Sequence, residues 1–184
     1  FGYQGIMSAI DALVTKNDII VYDMDTHACI IDGVRLHSGK RFVYRHNDME
    51  SFEKNIKRAQ RMAEKTGGGI LVVTEGVFGM AGDQGNLKDI VTYKERYKFR
   101  LFVDDAHGFG ALGKNGRGVI ETHNLSQQQV PILMATFGKA IGTAGAFVAG
   151  SHDFIDYLIN FARHYIYSTA MPAAQAYATL ISLQ

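Results

Sequence analysis

The sequence predicts an α/β fold of three layers, in which a mostly parallel sheet is flanked by helices on both faces. Short apolar runs alternate with longer segments of helical period along the 184 residues, which is the pattern of strands and helices alternating in a parallel sheet. Most glycines follow such runs, between Gly67 and Gly150, where the backbone turns sharply or approaches a ligand. We therefore expect a ligand site outside the carboxyl ends of the strands.

Six strands and several helices are predicted in chain order. The strands are near Ile19 to Tyr22, Arg41 to Tyr44, Ile70 to Thr74, Leu101 to Asp104, Ile132 to Thr136 and Gly145 to Ala149. The clearest helix follows Asn47 as N-cap, with Glu50 three residues on. Its apolar face carries Met49, Phe52, Ile56, Ala59 and Met62, and its basic residues are expected to face solvent. Two further helices are predicted around Leu87 to Tyr97 and from about Asp153 to Ala162.

Composition excludes some classes of function. The 19 Lys and Arg nearly balance the 18 Asp and Glu, so neither nucleic acid nor an anionic membrane is predicted as the main partner. Cys29 is the single cysteine; it cannot form an intrachain disulfide, and we expect it to pack as a small buried hydrophobe in a cytoplasmic protein. No apolar run reaches the ~20 residues that span a bilayer, so no transmembrane segment is predicted.

Two strand ends carry side chains suited to chemistry. Asp104, Asp105 and His107 end one buried strand, where charge is costly unless a positive group binds, and a protonated pyridine nitrogen would be such a group. Thr136 and Lys139 end another strand in a turn of small residues, and a lysine amine there can form an imine. Each residue alone is more often structural, but the conjunction points to imine chemistry.

Four motifs in these regions resemble the signatures of the α-oxoamine synthase family, which belongs to the fold-type I pyridoxal-phosphate enzymes. They are Thr26-His-Ala-Cys-Ile-Ile-Asp-Gly33, Thr74-Glu-Gly-Val-Phe, Val103-Asp-Asp-Ala-His-Gly and Thr136-Phe-Gly-Lys139. The resemblance implies that residues 1–184 are the cofactor-binding large domain of an aminotransferase-like fold. Because the chain opens without Met and stops in a helical stretch, we expect a fragment that lacks an N-terminal segment and a C-terminal small domain.

The resemblance also implies roles for four catalytic residues. Lys139 holds pyridoxal 5'-phosphate (PLP) as a Schiff base and serves as acid and base at the substrate Cα. Asp104 keeps the pyridine nitrogen protonated, which makes the ring a better electron sink. His107 hydrogen-bonds the ring's phenolic oxygen, while His27 stacks on the ring face and orients the acyl thioester.

The phosphate of PLP is implied to bind the Thr136 hydroxyl and the backbone amides of Gly2 and Tyr3. Ser168 and Thr169 match a segment that reaches the phosphate of the neighbouring subunit, so a homodimer with its active site at the interface is implied. These five residues and the four catalytic ones form the predicted cofactor site, and no metal site is predicted.

In one place the chain departs from the family pattern, which usually has Ser where this sequence has Gly79. His107 is then expected to contact the ring oxygen alone. Five other histidines are expected to be surface or packing residues: His37, His46, His123, His152 and His164.

The activity implied by the resemblance is that of an acyltransferase, which condenses a small amino acid with an acyl-CoA or acyl-carrier thioester and releases carbon dioxide. The segment 161–175 is similar to the branch that joins L-alanine to a pimeloyl thioester in biotin biosynthesis. The segments 67–79 and 105–110 resemble the branch that joins L-serine to palmitoyl-CoA in sphingolipid biosynthesis. We expect the first; the second and a glycine-using branch are the alternatives.

The sequence argues against two other interpretations. A noncatalytic partner subunit of the same fold would lack the Schiff-base lysine, whereas this chain has Lys139. A nucleotide-binding doubly wound domain would carry a glycine-rich phosphate motif after its first strand, and this sequence has none there.

Overall fold

The computed structural model describes residues 1–184 and contains one six-stranded sheet, which confirms the predicted α/β class. The strands are β1 (Ile19–Asp23), β2 (Lys40–Tyr44), β3 (Ile70–Glu75), β4 (Arg100–Asp104), β5 (Ile132–Thr136) and β6 (Ala146–Ala149). The helices are α1 (Gly2–Leu13), α2 (Ala28–Leu36), α3 (Met49–Thr66), α4 (Leu87–Tyr97), α5 (Val119–Thr122), α6 (His152–Phe161), α7 (Arg163–Ile166) and α8 (Ala173–Ser182). None of these helices combines the length and the apolar character needed to cross a bilayer.

Helices cover both faces of the sheet because the apolar residues of its strands alternate in direction. In β1, Ile19 and Val21 belong to a core layer of 17 buried residues that includes α3 and α4. Ile20, between them, belongs to the opposite layer of 14 buried residues, which includes α1, α2 and α6. The three layers predicted from the sequence are therefore present.

Helix α3 has the predicted amphipathic pattern, but its predicted N-cap was wrong. The N-cap is Asp48, whose Oδ1 accepts a hydrogen bond from the N–H of Ser51 at 2.8 Å. Asn47 has a φ of 50°, and its amide donates to Oδ2 of Asp83 at 2.8 Å and to the carbonyl of Gln84 at 3.0 Å. A side chain that holds a neighbouring loop in this way is not available to cap the helix.

The topology sets where a ligand can bind. The strand order is β2-β1-β3-β4-β5-β6, parallel throughout except for β6, which runs antiparallel to β5. Since β2 lies on one side of β1 and all later strands lie on the other, the chain switches direction between β1 and β3, and ligands bind at the carboxyl ends of strands at such a point. Asp23, Glu75 and Asp104 end β1, β3 and β4 at this edge, and Lys139 follows β5.

Candidate active site

The side chains of Lys139 and His107 meet at the carboxyl edge of the sheet, from the loops that follow β5 and β4. Nζ of Lys139 lies 2.9 Å from Nε2 of His107. An ammonium group only donates, so Nε2 is the acceptor and the ring hydrogen is assigned to Nδ1. Burial and the charge of Lys139 lower the pKa of His107, which keeps the imidazole neutral near pH 7.

Two buried carboxylates end neighbouring strands at the same edge. Glu75 and Asp104 are register partners in β3 and β4 and are 3% and 4% exposed. Burial, and then the nearby Asp104, raises the pKa of Glu75 to about 7. Burial also raises the pKa of Asp104, although the N–H of Ala106 donates to its Oδ1 at 3.0 Å. A pair of this kind is costly unless a positive group is near, so this edge favours the binding of a cation.

His27 is the N-cap of α2, and its backbone and ring are both held in place. Its ring Nδ1 accepts the N–H of Cys29 at 3.2 Å, and its own N–H donates to the carboxylate of Glu75. Cys29 is buried as predicted, and burial raises its thiol pKa to about 12. The ring of Tyr3 stands edge-on to the ring of His27, with 6.0 Å between their centroids. His27 therefore faces the edge of the sheet in a fixed orientation.

One cavity of about 180 Å³ unites most of the predicted site. Its lining includes seven of the nine predicted cofactor-binding residues: Gly2, Tyr3, His27, Asp104, His107, Thr136 and Lys139. Ser168 and Thr169 are not brought to it. Both are exposed beyond α7, and Ser168 lines a separate, largely apolar groove beside α1.

The start of α1 and the end of β5 form one wall of the cavity. A Cβ on Gly2 would stand 3.6 Å from Oγ1 of Thr136, so the two residues are neighbours. Helix α1 has no side-chain cap, and the first N–H groups of a helix lack intrahelical acceptors and favour an anion. The hydroxyl of Thr136 donates to the carbonyl of Gly145 at 2.9 Å, so its hydrogen must leave that acceptor to reach a bound anion.

Comparisons with known proteins identify the family. The model of the aminotransferase class I and II family matches residues 1–184. The cysteate-C-fatty acyltransferase of Capnocytophaga ochracea is 59% identical over 172 residues, which are 94% of this chain and 41% of that protein. The 8-amino-7-oxononanoate synthase of Pseudomonas syringae pv. syringae is 47% identical over 184 residues, 100% of this chain and 44% of that protein. A serine palmitoyltransferase of S. paucimobilis, solved with a bound PLP–myriocin aldimine, has a TM-score of 0.90 at 31% identity and covers 99% of this chain and 44% of that one. The chain belongs to the α-oxoamine synthases of this aminotransferase family.

Pyridoxal 5'-phosphate is the cofactor, and the residues of this α-oxoamine synthase fit it. Lys139 would supply a primary amine for an imine, the buried Asp104 a carboxylate for a cationic ring nitrogen, and the start of α1 unpaired N–H groups for a phosphate. The chain spans less than half the length of the curated relatives described above.

The sequence interpretation gave no role to Glu75 and treated Gly79 only as a departure from the family pattern. Glu75 lies within one of the quoted motifs, and its place at the end of a buried strand next to that of Asp104 was the available signal. Gly79 lies against His107, since a Cβ there would stand 2.4 Å from Nε2 of the ring. The imidazole thus fills the space that a serine side chain at this position would need.

Proposed function

We propose that this chain is the PLP-binding large domain of an acyltransferase that condenses a small amino acid with an acyl thioester and releases carbon dioxide. The observation that carries the proposal is the position of Lys139, whose amine contacts His107 in the cavity that Asp104 also lines. The names of the relatives, two acyltransferases and an oxononanoate synthase, support this reaction class.

The proposed roles of the side chains follow from their chemistry and burial. PLP, when bound, supplies an electron sink for the carbanion that forms at the substrate Cα. Lys139 removes the Cα proton and later returns one, as a general base and then a general acid. The carboxylate of Asp104 holds a proton on the pyridine nitrogen, and the cation so formed offsets the cost of burying that carboxylate. His107, whose hydrogen is assigned to Nδ1, positions the amine of Lys139 through Nε2.

The remaining atoms balance with one proton taken from solvent. After Lys139 takes the Cα proton, the Cα carbon attacks the thioester carbonyl, the C–S bond breaks, and the thiolate that leaves takes a proton from solvent. The resulting β-keto acid loses carbon dioxide, and Lys139 delivers a proton to Cα. His27, fixed by Glu75 and Cys29, orients the thioester carbonyl.

Phosphate binding is proposed at the start of α1, and assembly through the exposed segment after α7. Thr136 and the backbone N–H groups of Gly2 and Tyr3 hold the phosphate from one subunit. Ser168 and Thr169 are exposed and away from the cavity of their own chain, a position that suits contact with the phosphate site of a second copy. We therefore propose a homodimer; the cytoplasmic location stays a prediction.

For the substrates we rank three pairs. The 59% identity to the Capnocytophaga ochracea protein favours cysteate and a fatty acyl thioester. L-Alanine with a pimeloyl thioester, the pair expected from the sequence, is supported by the 47% identity to an 8-amino-7-oxononanoate synthase and becomes the second candidate. L-Serine with palmitoyl-CoA is the third, supported by the structural likeness to serine palmitoyltransferase.

The test uses the full-length protein purified with PLP. Cysteate, L-alanine, L-serine and glycine are added separately, and the change in visible absorbance is followed; each is then combined with palmitoyl-CoA or a pimeloyl thioester while carbon dioxide and free thiol are measured. We expect cysteate to change the spectrum at the lowest concentration and to release both products with the fatty acyl thioester. Spectral change and product release with L-alanine and the pimeloyl thioester alone would reverse the ranking. If the protein binds PLP but forms no product with any pair of substrates, the proposed acyltransferase activity is contradicted.

A further inference from the structure

His46 bridges two carboxylates at the carboxyl edge of the sheet, outside the cavity that Lys139 lines. Its Nδ1 lies 3.0 Å from Oδ1 of Asp23, the last residue of β1. Its Nε2 lies 2.7 Å from Oδ2 of Asp83, in the loop between β3 and α4. The imidazole therefore reaches from the loop after β2, across the end of β1, to the loop after β3.

The loop that His46 holds, residues 76–86, is a short hairpin closed at Asp83. The backbone carbonyl of Asp83 accepts the N–H of Phe78 at 2.9 Å, and the ring of Phe78 packs edge-on against the ring of His46, with 4.4 Å between their centroids. Phe78 is 2% exposed. Both the side chain and the main chain of Asp83 thus tie the loop to His46.

Asn47 strengthens the same attachment. Besides its bonds to Asp83 and Gln84, its side-chain oxygen accepts the N–H of Asn86 at 3.2 Å, and its carbonyl accepts the amide of Asn86 at 2.9 Å. The left-handed φ of Asn47 aims the side chain at the loop, a conformation that Asn tolerates better than most residues. The part of the loop from Asp83 to Asn86 is therefore fixed by hydrogen bonds to His46 and Asn47.

The next residue after Phe78 lies against the active site. Gly79 is so close to His107 that a Cβ would stand 2.4 Å from Nε2, and that nitrogen contacts Nζ of Lys139 at 2.9 Å. A continuous set of contacts therefore runs along the carboxyl edge of the sheet, from His46 through Phe78 and Gly79 to the two reactive side chains.

We propose that His46 is a positioning residue of this enzyme. By bridging Asp23 and Asp83, it fixes the position of the 76–86 loop. Gly79 of that loop then keeps the ring of His107 in contact with Lys139. An imidazole suits this task because its two nitrogens point to opposite sides and can each hold one carboxylate. The titratable groups that face it are Asp23 and Asp83, with Asp25 at 4.0 Å. This inference rests on the roles proposed above for His107 and Lys139.

The test follows the environment of the Lys139 amine in the full-length protein loaded with PLP. The readout is the pH midpoint at which the visible absorbance of bound PLP changes, measured for the unsubstituted protein, His46→Gln and His152→Gln. His152 is the matched control because its Nδ1 also lies 3.0 Å from a carboxylate, that of Asp156, but on the exposed surface of α6. We expect His46→Gln to move the midpoint by about 0.5 pH unit or more, roughly a threefold change in proton affinity, and His152→Gln to leave it unchanged.

A double-mutant cycle separates positioning from general loss of stability. In a His107→Ala background, His46→Gln should move the midpoint no further, because its effect passes through the His107 ring. An equal shift with and without His107, or no shift in either background, would overturn the proposal. If His46→Gln does not fold, Asp83→Asn is used instead. It should also shift the pH midpoint, and it should cause no further shift in the His107→Ala background. Thermal unfolding is measured for each variant. A missing PLP band in the unsubstituted protein would overturn the proposed function as well, whereas a band that does not shift overturns this inference alone.

Discussion

Glu75 and Asp104 are register partners at the carboxyl ends of β3 and β4, and both carboxylates are buried. Burial raises the pKa of each carboxyl group. Two negative charges at this edge are therefore unfavourable unless a cation binds in the cavity that both residues line. This relationship favours a ligand with a cationic ring nitrogen, and the role proposed for Asp104 depends on its charge.

Removing the charge of Asp104 should lower the rate of turnover without preventing the binding of PLP. In Asp104→Asn the amide keeps the shape of the side chain but no longer holds a proton on the ring nitrogen. We expect PLP still to bind, with kcat lower by about 100-fold or more, the usual effect of losing one preorganised electrostatic contact. Visible absorbance and steady-state kinetics of the full-length protein check this, and unchanged turnover would remove Asp104 from the mechanism.

A side chain at position 79 should disturb His107. In Gly79→Ala the new methyl group would stand 2.4 Å from Nε2 of the ring, so the imidazole must shift from its position beside Lys139 or the loop must move. We expect the dissociation constant of PLP to rise about tenfold, the equivalent of about 1.4 kcal/mol. Ala81→Ser, an exposed change in the same loop, is the control. Equal affinities in all three proteins would show that Gly79 does not constrain His107.

The sequence predicted the sheet well because its signal is local. Each strand is a short apolar run bounded by turn residues, and the six predicted strands differ from the observed bounds by no more than one residue. The site residues near Lys139 and Asp104 could also be predicted from the sequence, since they lie within contiguous motifs at the ends of strands. Their roles stay predictions, although the structure brings seven of the nine to one cavity.

What the sequence missed depends on contacts between distant segments. The sequence predicts a surface or packing role for His46, yet its partner Asp83 lies 37 residues away, and no local pattern indicates such a bridge. The prediction of Asn47 as N-cap was wrong for the same reason, because the side chain of Asn47 makes its hydrogen bonds to the loop that contains Asp83. The sequence marked Gly79 only as a departure from the family pattern, and its closeness to His107 could not be predicted from it.

The bridge made by His46 should give stability a definite pH dependence. Burial lowers the pKa of His46, but its hydrogen bonds to Asp23 and Asp83 outweigh burial and raise the pKa overall. Because the folded value lies above the ordinary value of about 6.5, the stabilisation is fully present below that pH and is lost as pH rises through the folded pKa. The difference in urea midpoint between the unsubstituted protein and His46→Gln should therefore shrink above neutral pH. A difference that grows with pH would contradict the assigned protonation.

The core beneath the site offers a test of the packing. Phe102 is fully buried in β4, two residues before Asp104, so Phe102→Ala leaves a cavity and should lower the free energy of unfolding by about 3–5 kcal/mol. Met80→Ala changes a fully exposed side chain and should stay within about 0.5 kcal/mol. Denaturant unfolding of both variants measures the difference, and similar losses would mean that Phe102 does not pack as described.

The attachment point of the cofactor can be measured directly. Full-length protein loaded with PLP is reduced with sodium borohydride, digested and analysed by mass spectrometry, with the Lys139→Ala variant treated in parallel. Because Lys139 is the lysine that lines the cavity with Asp104 and His107, we predict the reduced phosphopyridoxyl group on Lys139 and no stoichiometric label in the variant. A stoichiometric label on another lysine, or one that persists in Lys139→Ala, would contradict the assignment of Lys139 as the cofactor-bearing residue.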